Sequence, residues 1–198
     1  IISVHEAAHA FTANSLGDPT AKMAGRQSLN PLAHIDLFGT VLLPLMLIIL
    51  HLPLFGWAKP TPFNPMNLQN PKRDSALIAL AGPVSNLLLA ALLALIARLL
   101  FPGDPMAMLQ SLLYPLVTIN VSLAVFNLLP IEPLDGFKVV GGILPDGLAA
   151  FWYSLAPYGP LLLLFLLFTP GTSLLDRIFL PLTKTILSLL FGFPVALY

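Results

Sequence analysis

The sequence predicts an all-α, multi-pass membrane protein, with about five to six membrane-embedded helices separated by Pro/Gly-broken segments. Three observations carry that reading. Of 198 residues, 57% are hydrophobic and only 9% are charged, whereas a soluble domain carries about 25% charged residues. Mean hydropathy is +0.89. Charge-free runs occupy 37–58, 75–97, 105–131, 147–175 and 185–198, or 22, 23, 27, 29 and 14 residues. A bilayer core takes roughly 20 apolar residues of helix. The first four runs pass that length, and the last does so if Lys184 snorkels to the interface.

The same composition excludes several function classes. Lys plus Arg and Asp plus Glu both number 9, so no basic surplus exists to hold a nucleic-acid backbone. There is no Cys, which removes disulfides, thiolate metal sites and cysteine nucleophiles together.

Residues 1–16 read as a helix that stops at Gly17, Asp18 and Pro19. The chain starts at Ile1, and IISV already reads as the interior of an apolar helix. No charged n-region precedes it. Upstream sequence, including part of a first membrane helix, is therefore expected. Residues 18–36 are the most polar stretch, with Asp18, Lys22, Arg26, His34 and Asp36, and are long enough for a short β-hairpin or an extended loop. The apolar run 38–55 is broken by Pro44 and Pro53 and followed by Gly56, so it either spans or enters and returns. Pro60, Pro62, Pro65 and Pro71 forbid a helix over 57–74.

Helices are predicted at 76–100 and at about 108–129, the second after the turn at 102–105. Prolines and glycines interrupt 130–147, and two further apolar helices cover roughly 158–169 and 174–192. No repeat or linker marks a second domain, so residues 1–198 read as one membrane-embedded domain. Trp57, Trp152, Tyr153 and Tyr158 suit an aromatic belt. Asn86 and Asn120 read as interhelical hydrogen-bond partners, and Gly82 as a site of close helix packing.

His5-Glu6-Ala7-Ala8-His9 is the motif with chemistry in it. On a helix, positions i and i+4 share one face, so two imidazoles can bind one Zn²⁺ while the adjacent Glu6 serves as general base on a water. With only 4 His and 2 Glu in the chain, chance assembly of this pattern is on the order of one in a thousand. A merely structural polar patch is disfavoured, because ionisable groups flanked by apolar sequence are costly in lipid.

A catalytic zinc takes three protein ligands and keeps one position open. The candidates for the third are His34, Asp36, His51, Glu132 and Asp135. Asp135 follows Pro130 and Pro133 and precedes Gly136, and irregular backbone at membrane depth is tolerated only in protein or beside a cavity. For Asp36 and Glu132 an interfacial loop role is favoured. Turn capping explains His34 and Asp36 more simply, and His51 reads as a lone interfacial or helix-bonded imidazole.

HEAAH at 5–9, GDPTA at 17–21, GRQSLNPLAHIDLFGT at 25–40, GWAKPTPFNP at 56–65, AGPVSN at 81–86 and NLLPIEPLDG at 127–136 together resemble the site-2 protease family of intramembrane zinc metallopeptidases. The resemblance covers about residues 1–140, in order. It implies that His5, His9 and Asp135 bind one zinc, that Glu6 is the catalytic carboxylate, and that Asn127 lies near the site, against the substrate or the developing oxyanion. No segment reads as an inserted PDZ domain, so the likeness is to compact members, and 140–198 matches only as generic membrane helix.

The resulting expectation is a zinc-dependent intramembrane endopeptidase in a prokaryotic plasma membrane. Its partners would be the lipid bilayer and a membrane-protein substrate that unwinds to reach the metal, with 56–65 and 130–147 as walls receiving the extended strand. The rival is a non-catalytic zinc-binding scaffold or a transporter. A transporter would need ionisable residues spaced along several helices, and the charge-free runs offer none. One tension stands. If 38–55, 76–100 and 108–129 all span, Asp135 emerges opposite Gly17, yet zinc binding needs it at the depth of His5 and His9.

Overall fold

The computed structural model describes residues 1–51, 56–168 and 175–195. Helix α1 (Ile2–Ser15) is followed by one turn, α2 (Thr20–Met23), and by a 3₁₀ turn at Pro31–His34. A wide π turn at Leu37–Leu42 leads into α3 (Leu43–Ile49). The long α4 (Pro71–Leu100) comes next, then the short α5 (Pro105–Gln110), α6 (Leu113–Asn127) and α7 (Asp135–Ile143). Helices α8 (Asp146–Ser154), α9 (Gly159–Phe168) and α10 (Leu180–Phe191) complete the order.

Helix α4 is the axis on which the site is built. Asn70 precedes Pro71 at the first helical position, and the Asp74 carboxylate accepts the Asn70 N–H at 2.9 Å, which closes the helix start. At about 1.5 Å per residue the helix runs about 45 Å, longer than a bilayer core of about 30 Å. Its buried face is rich in small side chains, Ala79, Gly82, Ala90, Ala94 and Ala97, beside Ile78 and Asn86, while Leu88, Leu92, Leu95 and Leu99 point outward. Ala97 is 0% exposed and Leu99 is 71% exposed. Small residues inside and large apolar residues outside reverse the pattern of a water-soluble helix and suit one that packs closely in lipid. Helices α1, α6 and α7 all pack on α4. A second core joins α4, α6 and α10 through Ala90, Val117, Val121 and Leu187.

Several expectations need correcting. Among the described residues no strand occurs, so of the two readings for 18–36 the loop holds and the β-hairpin does not. The backbone there is taken up by local turns, with Met23 N–H donating to Pro19 and Ala33 N–H to Asn30. The helix expected at 108–129 is split at Ser111, whose backbone is extended. Pro115 lacks the N–H that would close the preceding turn, so a helix starts there more readily than it continues. Residues 130–147 contain α7 and the start of α8 rather than irregular chain alone. Asn120 bonds back along its own helix, to the Leu116 carbonyl at 2.8 Å, instead of across to a neighbour. Trp152 stacks on Phe137 and gives its indole N–H to the Phe137 carbonyl at 2.8 Å, which makes it a packing residue.

On either side of the apolar run, residues 56–59 lie back against 34–40. Trp57 N–H donates to the Gly39 carbonyl at 3.1 Å, and Lys59 N–H to the His34 carbonyl at 2.9 Å. The Thr40 hydroxyl donates to the Trp57 carbonyl at 2.8 Å. Trp57 therefore lies back beside Gly39, where the run began, and Asp135 stands beside His5 and His9. Pro53, expected to break this run, lies outside the described residues, as does residue 169 at the end of the helix expected at 158–169 and residue 174 at the start of the next. By length and composition, Pro71–Leu100 and Asp146–Leu166 can each cross a membrane, with Leu37–Ile49 and Leu113–Asn127 as shorter apolar helices.

Asp18 pins the polar loop. It is buried, accepts the Thr20 N–H at 3.1 Å and the Asn67 side-chain N–H at 2.7 Å, and takes the Asn64 N–H at 2.6 Å. Burial opposes its ionisation, but these donors outweigh burial and hold its carboxyl below the usual range. A depressed folded-state pKa means the stabilisation is present above the unfolded value of about 3.9 and is lost as pH falls through the folded one. Asp18→Asn is expected to cost roughly 1–3 kcal/mol at neutral pH, with the gap to wild type closing as pH falls below the unfolded carboxyl value. Thermal unfolding in detergent across that range checks it.

Candidate metal centre

Helix α1 places His5 and His9 one turn apart, with ring centroids 4.6 Å apart and planes at 86°. Both are buried. Asp135 reaches them from the first turn of α7, its Oδ2 lying 3.1 Å from His5 Nε2 and 3.4 Å from His9 Nε2. The turn before α7 brings it there. Gly136 sits so close to the end of α6 that a Cβ would stand 2.2 Å from the Leu128 carbonyl oxygen, so only glycine lets α7 begin at this point.

The proton positions follow from the partners. His9 Nδ1 lies 2.6 Å from the Ile78 carbonyl, which can only accept, so Nδ1 carries the hydrogen. In the neutral ring, Nε2 then presents a lone pair toward the Asp135 carboxylate, whose buried Oδ2 takes no hydrogen bond. A lone pair facing a carboxylate oxygen is repulsive unless a proton or a metal ion stands between them. Among the described residues, His5, His9 and Asp135 form the one group able to hold a metal, with ligand atoms within 4.8 Å of one another. Three donors at about 2.0–2.2 Å around one tetrahedral ion stand roughly 3.3 Å apart. The two imidazole–carboxylate separations, 3.1 and 3.4 Å, fit a small divalent ion such as zinc.

Gly82 of α4 forms the floor under both rings. A Cβ there would stand 2.4 Å from His9 Nε2 and 2.6 Å from His5 Cε1. Gly82→Ala should displace both imidazoles and lower the zinc content of purified protein well below one per chain. Gly147→Ala, whose Cβ would meet nothing within 4 Å, should leave it unchanged. Metal analysis of the two variants checks this.

Glu6 does not join the cluster. Its Oε2 accepts the Thr61 N–H at 2.8 Å and the Thr61 hydroxyl at 2.7 Å. Thus the returning 56–64 segment, not α1 alone, sets the carboxylate. Glu6 and His5 line a cavity of about 470 Å³ whose walls include Trp57, Pro60, Asn127 and Pro133. Asn127 stands in that wall at the end of α6, its amide N–H tied to the Leu123 carbonyl at 2.9 Å.

The other ligand candidates are engaged elsewhere. His34 Nε2 lies 2.7 Å from the Ser28 carbonyl. Asp36 Oδ1 caps the wide turn by accepting the Gly39 N–H at 2.6 Å. His51 is exposed, and Glu132 lies in the turn between α6 and α7. Thr61 and the Ile78 carbonyl were invisible to sequence reasoning. A backbone carbonyl has no sequence signature, and Thr61 meets Glu6 across 55 positions of sequence.

Comparison with known proteins bears on the same residues. Peptidase family M50 matches over residues 101–150, the stretch that carries Asn127 and Asp135. YwhC of Bacillus subtilis (strain 168), provisionally named a zinc metalloprotease, is 37% identical over 175 residues, 85% of this chain and 76% of its own length. Rip2 of Mycolicibacterium smegmatis, named likewise, is 34% identical over 179 residues, 87% of this chain and 65% of its own. Rip2 of Mycobacterium tuberculosis (strain H37Rv) is 35% identical over 141 residues, 70% and 52% respectively. The chain thus spans about two thirds or less of the Rip2 proteins. No solved structure matches it.

Proposed function

The chain belongs to peptidase family M50, and on that premise we propose that it is a zinc-dependent endopeptidase cutting within or near transmembrane segments of other membrane proteins. The observation that carries the reading is the buried three-donor cluster of His5, His9 and Asp135, with His5 and Glu6 lining a mostly apolar cavity.

When bound, zinc supplies the Lewis acidity that activates a water and polarises the scissile carbonyl. His5, His9 and Asp135 hold it, two neutral donors and one anion. Glu6 takes the water proton and later gives it to the leaving amine. Because Thr61 occupies Oε2, Oε1 is the oxygen left to do so. A helical substrate hides its amides in its own hydrogen bonds, so it must unwind locally before it enters. Trp57, Ala58, Pro60, Pro133 and Leu134 line the cavity that would receive the extended strand. Asn127 stands in the same lining, able to hold the substrate carbonyl as charge develops on it.

The lipid-suited exterior of α4 supports a multi-pass protein of a cell membrane, with a membrane protein as substrate. Proteomic comparison of membrane-protein fragments from cells carrying the active protein and cells carrying Glu6→Gln tests the reading. Fragments mapping to transmembrane segments should appear only with the active protein. Identical fragment sets would favour a zinc-binding scaffold.

A further inference from the structure

We infer that Asn86 is a positioning residue for zinc, its carboxamide oxygen accepting the Nδ1 proton of His5 as the Ile78 carbonyl accepts that of His9. The inference rests on the zinc reading above and adds the group that fixes its first ligand.

Asn86 sits on α4, four residues beyond Gly82, and is fully buried. Its amide nitrogen lies 3.3 Å from His5 Nδ1, while its oxygen is buried with no donor. His5 faces Asp135 through Nε2, as His9 does. To offer a lone pair on that side, neutral His5 must carry its proton on Nδ1. An Nδ1–H then needs an acceptor, and an amide NH₂ is not one. Turning the amide by half a rotation exchanges its two nearly isosteric ends. The orphaned oxygen gains a donor and Nδ1–H gains an acceptor. One change thus removes both defects.

The arrangement also makes α4 the common support of the site. Ile78 orients His9, Gly82 lets both rings approach, and Asn86 orients His5. Ligating imidazoles almost always donate their second N–H to such an acceptor, and losing it typically weakens metal affinity roughly 10–100-fold.

Zinc affinity of the full chain in detergent, by chelator competition, tests the inference with two substitutions of similar volume. Asn86→Leu removes the acceptor and should weaken zinc binding roughly 10–100-fold. Asn86→Asp keeps an acceptor but no donor and should bind zinc as tightly as wild type or more so. Unchanged affinity in Asn86→Leu overturns the inference. So does equal weakening in both variants, which would mean the NH₂ is what matters. If Asn86→Leu does not fold, nitrogen-15 shifts of ring-labelled histidine in zinc-loaded wild type and Asn86→Asp decide. A protonated, hydrogen-bonded His5 Nδ1 in both supports it, and an unprotonated Nδ1 overturns it. Wild type that holds no zinc would sink the metalloenzyme reading and this inference with it. Wild type with tight zinc and unresponsive variants would sink the inference alone.

Discussion

Glu6→Gln is expected to keep zinc and fold while peptide hydrolysis falls by roughly 10²–10⁴-fold, the usual worth of general-base help. The structure explains why the two properties separate. Glu6 accepts two hydrogen bonds from Thr61 at Oε2 and lies outside the group of mutually close ligand atoms. A glutamine carbonyl can accept from the same Thr61 N–H and O–H, so the returning segment keeps its anchor. The amide cannot take a proton from water at neutral pH. Zinc content measured beside turnover of a membrane-inserted reporter substrate checks the result. Wild-type turnover in this variant would remove the general base from the mechanism. Loss of zinc with loss of turnover would instead make Glu6 a ligand.

What the sequence made legible is what local periodicity can encode. The two stacked imidazoles follow from four-residue spacing on a helix, and the long apolar α4 follows from its charge-free run. The break beside Asp135 follows from Pro130, Pro133 and Gly136. The residues that tune the ligands were less visible. Gly82 and Asn86 could be read as packing and hydrogen-bonding positions on α4, yet nothing local says that His5 and His9 are what they pack and bond to. The split at Ser111 and the missing hairpin share a cause. Composition there permits several backbones, and prolines at 31 and 115 choose helical turns and a new helix start over strand or continuous helix. Trp57 meets Gly39, a contact across 18 residues that periodicity cannot carry.

Asp135→Asn should strip most of the zinc, while Glu132→Gln, three residues earlier, should leave it in place. The argument begins with charge. Two neutral imidazoles leave Zn²⁺ at +2 in a site shielded from water, and one carboxylate halves that charge while leaving a position open. Asn preserves the shape of Asp135 and removes the negative charge, so affinity should fall by more than the roughly 10–100-fold lost with outer-shell groups. Geometry separates the two acids. Asp135 Oδ2 stands 3.1 and 3.4 Å from the two Nε2 atoms. Glu132 lies in the turn ahead of α7, its side chain close against Gly159, and is no part of the ligand cluster. Zinc titration of both variants decides between them. Zinc lost from Glu132→Gln and kept by Asp135→Asn would exchange their roles. Zinc kept by both would return the third ligand to Asp36 or His34, and the loop from 25 to 40 would then have to give up the caps and carbonyl contacts those two side chains now make.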